Sequence, residues 1–429
     1  MARQVKPEKR RKKARAELGR RSWKRVALRR GLGFDWPMTT CSRFKLFGAG
    51  AAALVILSAG LQMEAGAAEP TCLAFVGTYT GPRSQGIYAF RFDPRAGKLT
   101  PLGLAAESQN PTFLAIHPNQ KFLYAINEVG SPAKPGTVAA YRIEPDTGKL
   151  VLLNQQPVGG PGPCHVIVDA TGKNVLAANY GGGSIACLPI KDDGSLGELT
   201  TFIQHKGSSV NKQRQEGPHA HGLFLDAANR FAFVPDLGLD RVMIYRFDAT
   251  QGTLVAHEPA FAAMPAGAGP RHFAFHPNGR RAYVINELDS TVVVCAYDAE
   301  RGVLTPMQTI PTLPADFAGK SSCAEIEVHP SGKFVYGSNR GHDSIVVYAA
   351  DENGKLSLVE HQPTRGRNPR HFAIEPTGRW LLAENQDGHS VVIFSIDPAT
   401  GRLRPNGEKV EVGSPVCLKF VAAVPKPDK

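Results

Sequence analysis

The feature that most constrains this chain is an internal repeat. Residues 269–288 (GPRHFAFHPNGRRAYVINEL) read as a strand, a tight turn built on His276-Pro277-Asn278-Gly279, and a second strand ending at Asn286. The same unit recurs with its second strand ending at Asn127, Asn179, Asp236, Asn339 and Asn385, at steps of 52, 57, 50, 53 and 46 residues. A further copy, residues 73–79 (LAFVGTY), has a second strand and no first, and the orphan stretch 414–421 (SPVCLKFV) fits the vacant place. Third strands such as 291–297 follow, then fourth strands such as 304–310 after a Gly-x-Leu turn. Four short strands per unit of roughly 50 residues is the spacing of a β-propeller blade. The expected fold is therefore all-β: a seven-bladed β-propeller over residues 69–425, closed by the C-terminal strand in the first blade. A closed ring removes the open sheet edges that invite aggregation.

The residues ahead of the repeat are of another kind. Residues 1–37 hold 14 Lys or Arg against 3 Asp or Glu, and so carry +11 of the chain's formal +12. They read as a basic disordered leader, or as an extension from a start placed too early, with Met38 the alternative start. Residues 38–68 have the pattern of an export signal: Arg43 and Lys45, an apolar run at 46–61, then Ala65-Gly66-Ala67. The apolar run is shorter than the roughly 20 residues of a spanning helix, so no stable membrane span is expected after processing. Export to the periplasm follows if the leader is real. From Ala68 onward 34 basic and 34 acidic residues balance, and no basic helical face or zinc finger suggests nucleic acid as a partner. Nothing in the sequence specifies an oligomeric state. The seven cysteines include no Cys-x-x-Cys and look unlike a disulfide framework, although Cys72 and Cys417 would share a blade and are the pair to test.

The register gathers chemistry on one face. The first strand of each blade lines the channel, and the start of strand one lies beside the end of strand two. That face collects His165, His219, His221, Arg271, His272, Glu287, Glu325, Arg340, Arg370 and His371. Neighbouring strand residues point opposite ways, so Arg271 and His272, or Arg370 and His371, are not expected to share the channel. The favoured phase turns the arginines to the mouth and the histidines toward the blade packing. His117, His276 and His329 recur before a turn proline and read as turn or packing residues. The polar insertion 205–216 (HKGSSVNKQRQE) is placed to cover the mouth or to be a plain surface excursion. Several arginines with few acids make an anion site, and a histidine beside a carboxylate can supply a general base. No Gly-x-Ser-x-Gly elbow supports a serine nucleophile, and no compact ligand motif supports a metal, so neither metal nor cofactor is expected.

These stretches together resemble a known family. FVGTYTG (75–81), NPTFLAIHPNQKFLYAINE (110–128), GPHAHGLFLD (217–226), GPRHFAFHPNGRRAYVINELDSTV (269–292), AEIEVHPSGKFVYGSNRGHDSIVVY (324–348) and NPRHFAIEPTGRWLLAENQDGHSVVIF (368–394) are similar to the lactonase family of seven-bladed propellers. That family includes the propeller-type 6-phosphogluconolactonase and the carboxy-muconate lactonizing enzyme. The resemblance implies a site of His221 or His219, Arg271, Glu287 and Arg340, and a small anionic lactone as partner. The expected reaction is hydrolysis of a sugar lactone, foremost 6-phospho-D-glucono-1,5-lactone. In this reading His221, His219, Glu287 and Arg271 are catalytic, and Arg340, Arg370, Glu325 and His165 bind substrate. The base is His221 supported by Glu287, or the reverse, with Arg271 at the oxyanion. A lactonizing reaction on a muconate-like dicarboxylate and a non-enzymatic binding propeller remain as alternatives. The cytoplasm is the compartment that the phosphogluconolactonase role implies, in tension with the export signal.

Overall fold

A computed structural model of the protein describes residues 71–131 and 133–421; the basic leader and the export signal lie outside the described residues. Among the described residues, twenty-eight strands form seven four-stranded sheets, with no helix. Each sheet is a blade whose strands pair antiparallel in chain order. The exception is blade 1, where Pro415–Val421 pairs with Cys72–Thr78 and closes the ring. The other inner strands are Leu114–Ile116, Pro163–Val168, Phe224–Leu225, Pro270–Phe275, Ser322–Val328 and Pro369–Ile374, in blades 2 to 7. The inner strands of blades 1 to 3 touch in turn around the axis, as do those of blades 5, 6, 7 and 1.

The burial follows the hydrophobic pattern. The second strand of blade 5, Arg281–Asn286, is buried at all but its first residue, as a continuous apolar run between two neighbouring sheets should be. The outermost strand of blade 2, Leu150–Pro157, alternates and faces water. The core consists of face-to-face contacts between blades. Phe233 of blade 4 stacks on Phe273 of blade 5 with ring centroids 5.5 Å apart. Burying each such ring contributes about 1.5–3 kcal/mol.

The turn histidines tie one blade to the next. His117 Nε2 donates to the Gly172 carbonyl at 2.8 Å, His276 to Gly332 at 2.9 Å, and His329 to Gly378 at 2.8 Å. Gly172 has φ +69°, and a Cβ there would come within 2.6 Å of the His117 ring, so this junction demands glycine twice over. The expected role of these histidines in turns and packing is what the structure shows.

The Cys72–Cys417 disulfide does not form, and both thiols are free. Cys417 lies opposite Gly77, five residues along the strand from Cys72. At a rise of about 3.3 Å per residue the two are roughly 16 Å apart, well beyond the reach of a disulfide. Sharing a blade was not enough, because the register sets them at opposite ends.

Candidate active site

The inner strands of blades 3, 5 and 7 each begin with a break in the ladder. Pairing slips between Pro163 and His165, between Pro270 and His272, and between Pro369 and His371. Cys164, Arg271 and Arg370 occupy these bulges. An extra residue in one strand abolishes strict alternation locally, so a bulged residue and its successor can both face the axis. That overturns half of the expected phase: Arg370 reaches the mouth as expected, but the histidines do not turn away. His165, His272 and His371 are not held in the blade packing. They meet at the centre, around the ring of Phe113, at centroid distances of 4.3, 5.8 and 5.6 Å. Side chains from four blades can converge so closely only on the axis.

Above this plug lies a cavity of about 240 Å³, lined by Glu128, Cys164, Tyr180, Arg214, His221, Glu287, Arg340 and Arg370. Glu287 sits just beyond the second strand of blade 5 and organises it. Its Oε2 accepts from Arg271 Nε at 3.1 Å and from Arg340 at 2.9 Å, and its Oε1 accepts from Arg214 at 2.7 Å. Burial alone would raise this carboxyl, but Arg340, Arg271 and Arg214 hold it down at about 2. Glu287 is therefore a fixed anion. Arg271 goes the other way. Burial and the facing guanidiniums of Arg340 and Arg370 outweigh the attraction of Glu287 and bring it down to about 10, still charged at neutral pH. Backbone carbonyls fix two of the arginines: Arg271 donates to Ala324 and Arg340 to Cys323, each at 2.7 Å.

His221 enters from the strand edge ahead of Phe224–Leu225, where its N–H donates to the Pro235 carbonyl. Its Nε2 is 3.9 Å from Glu287 Oε2, too long for a direct hydrogen bond. Burial first, then the nearby charge of Arg271, holds the imidazole well below its ordinary value, so it is neutral with a lone pair available. Cys164 Sγ lies 3.7 Å from His221 Nδ1. Burial pushes that thiol up to about 12, which leaves it protonated and a poor nucleophile.

The remaining wall is a hydrogen-bonded chain. Thr112 and Tyr79 donate to Glu128 at 2.6 and 2.7 Å, and Arg370 donates to the Tyr79 hydroxyl at 3.2 Å. Arg370 makes no ion pair among the described residues, and the Nε atoms of Arg370 and Arg340 are buried without hydrogen-bond partners.

Of the residues selected from sequence, His221, Glu287, Arg340 and Arg370 line the cavity, and Arg271 stands behind Glu287 rather than on the wall. His219 stacks on Tyr180 at 4.5 Å and donates from Nδ1 to the Tyr180 carbonyl, outside the lining. Glu325 and His165 lie further down the channel, on a second cavity of about 260 Å³ that also holds Glu327 and Lys419. There Glu325 accepts from His272 Nδ1 at 2.9 Å and stands 3.6 Å from His371 Nε2. Four contributors to the upper cavity were not selected from sequence: Arg214, Tyr180, Glu128 and Cys164. Glu128 and Tyr180 occupy the position equivalent to Glu287 in blades 2 and 3, so the register already pointed at them. Arg214 belongs to the insertion 205–216 and has no blade equivalent.

The fold is thus a seven-bladed propeller with a pit on its axis lined by three arginines. Residues 73–420 match the family described as lactonase, 7-bladed beta-propeller. The chain belongs to that family and is a lactone hydrolase of it. It is 38% identical over 353 residues to the 6-phosphogluconolactonase of Bacillus subtilis, covering 82% of this chain and 99% of the relative. It is 34% identical over 358 residues to the 6-phosphogluconolactonase of Formosa agariphila, covering 81% and 98%. Among solved structures, the periplasmic gluconolactonase of Pseudomonas aeruginosa superposes with a TM-score of 0.77 at 35% identity, over 82% of this chain and 99% of that one.

Proposed function

We propose that the protein hydrolyses 6-phospho-D-glucono-1,5-lactone to 6-phosphogluconate in the upper cavity. The observation that carries this reading is Arg370: a half-buried guanidinium on the cavity wall with no carboxylate partner among the described residues. Around the cavity four arginines face two carboxylates, Glu287 and Glu128, so an anionic substrate completes the charge balance. The names of the two 6-phosphogluconolactonase relatives support the same substrate.

The chemistry needs a water, a base for its proton, and positive charge where the carbonyl oxygen becomes an oxyanion. Neutral His221 is the base. A water bridging the 3.9 Å gap between its Nε2 and Glu287 would be aimed at the carbonyl carbon. As the new C–O bond forms, the water's proton passes to Nε2 and the carbonyl electrons move onto oxygen. Collapse then breaks the ring C–O bond, and the imidazolium returns its proton to the departing ring oxygen. Glu287, held ionised, stabilises the imidazolium and does not itself take the proton. Arg340 and Arg370 present donors to the oxyanion. Arg271, bound to Glu287 and Ala324, positions the carboxylate instead of touching the carbonyl.

The test is hydrolysis of freshly made 6-phosphogluconolactone and gluconolactone, each corrected for spontaneous opening. The reading expects turnover of the phosphorylated lactone, with His221→Asn slower by about 10²–10⁴-fold. A wild-type rate no higher than background on both lactones would refute it. The leader and the periplasmic P. aeruginosa relative support export. A mature N-terminus near Ala68 on the native protein is the check, and an intact Met1 or Met38 terminus would count against export.

A further inference from the structure

The insertion 205–216 is pinned at both ends by buried groups. His205 bonds Asp236 through Nδ1 at 2.6 Å and Tyr245 through Nε2 at 2.9 Å. At the other end Gln215 donates to the Leu237 carbonyl at 2.9 Å and to Asp240 at 2.7 Å, and Ser209 donates to the same Asp240. The main chain that carries Arg214 is therefore held over the cavity.

The side chain of Arg214 is held differently. Arg271 and Arg340 are each locked to Glu287 and to a backbone carbonyl. Arg214 has Glu287 and a phenol, the Tyr180 hydroxyl at 3.1 Å. Its side chain is 41% exposed, against 13% for Arg340 and 3% for Arg271. It is the outermost of the three guanidiniums on one carboxylate, and its departure leaves Glu287 bonded to the two more deeply buried ones, Arg271 and Arg340. The exposed carboxylate nearest in sequence, Glu216, leans toward His219 Nε2 at 3.7 Å.

We infer that Arg214 is the residue that selects a phosphorylated lactone. With substrate in the cavity, the lactone carbonyl lies against His221 and Arg340, and the far end of the sugar points outward under the insertion. Arg214 exchanges its bond to Glu287 for a forked pair of bonds to the phosphate there, a geometry that guanidinium and phosphate share. An unphosphorylated lactone offers it no anion, so Arg214 stays on Glu287.

This inference rests on the proposed lactone hydrolysis, and the experiment separates the two. The ratio of kcat/KM on 6-phosphogluconolactone to that on gluconolactone is measured for wild type and for Arg214→Met. General effects of loosening Glu287 cancel in the ratio. It is expected to fall by about 30-fold or more, the worth of a charge-assisted forked contact. Arg214→Lys, which keeps the charge and loses the fork, recovers part of it. Calorimetric binding of 6-phosphogluconate against gluconate reads the same selectivity without turnover, and it keeps the question open to refutation if wild type opens neither lactone. A selectivity ratio within threefold of wild type, in either readout, would overturn the inference and leave Arg214 as a brace for Glu287 alone.

Discussion

Two levels of the same channel use the same residue types to opposite ends. In the upper cavity Glu287 is buried among three guanidiniums and stays ionised, at about 2. Further down, Glu327 is half-buried near one ammonium, that of Lys419, and desolvation wins: its carboxyl is pushed up to about 8. Glu384 is likewise raised well above the usual carboxylate range by burial and by Glu327. The histidines there are neutral for the same reason, burial first. Glu384 is at least as buried as Glu287, so the number of cations in reach, rather than depth, decides whether a buried acid is a charge or a proton carrier. The upper level gathers guanidiniums around an ionised carboxylate, and the lower level packs neutral histidines and the raised carboxyls of Glu327 and Glu384 around the single ammonium of Lys419.

The sharpest way to break this contrast is to replace one carboxyl by its amide at each level. Glu287→Gln leaves three guanidiniums, among them the buried one of Arg271, without their shared counter-ion. It is expected to cost about 3–5 kcal/mol in denaturant unfolding and at least about 100-fold in kcat/KM. Glu325→Gln still offers His272 an acceptor, so about 1–2 kcal/mol and less than tenfold in kcat/KM are expected. Equal losses of activity at the two positions would erase the distinction.

A smaller effect concerns acid. Because His221 is already neutral well below pH 6.5, kcat/KM on gluconolactone should be level from about pH 6 to 8 and fall only in more acid solution. The unphosphorylated lactone is the right probe, since a phosphate titrates near pH 6 on its own. A break centred on pH 6.5 would mean that the imidazole is not shielded as described.

The smallest effect is on stability. The Glu327 carboxyl has a folded value of about 8 against 4.5 for the free side chain. The folded state therefore holds a proton that the unfolded chain has released, and stability is lost as pH rises from about 4.5 to 8. Glu327→Gln, which keeps an acceptor for the Ile374 N–H, should raise Tm at pH 9 by on the order of 1–3 °C and change it little at pH 5. A gain of the same size at both pH values would remove ionisation as the cause.

The repeat made the propeller readable, because turn signatures such as His-Pro-Asn-Gly mark the same place in each blade and fix which residues share a face. That is how Glu287, Arg340, Arg370 and His221 could be brought together without a structure. The bulges at Cys164, Arg271 and Arg370 were not readable, since a one-residue slip leaves no trace in residue type, and with it the orientation of the histidines was lost. Lys419, Glu327 and Glu384 were invisible as a group. They come from blades 1, 6 and 7, and nothing in their local sequence says that their side chains meet. Arg214 was hidden for a different reason: an insertion has no register from which to place its side chain.

The closing strand bears on how the molecule is made. Leu73 pairs with Val421 across nearly the whole length of the propeller. During synthesis the first blade therefore waits, with Cys72–Thr78 unpaired on its inner side, until the last blade has emerged. Lys419, the ammonium of the lower channel, arrives with that same strand. A ribosome that stalls before residue 415 releases six complete blades and a three-stranded first blade, whose bare inner edge is ready to join other chains. Quality control of this protein is therefore a question of whether its final segment is delivered intact.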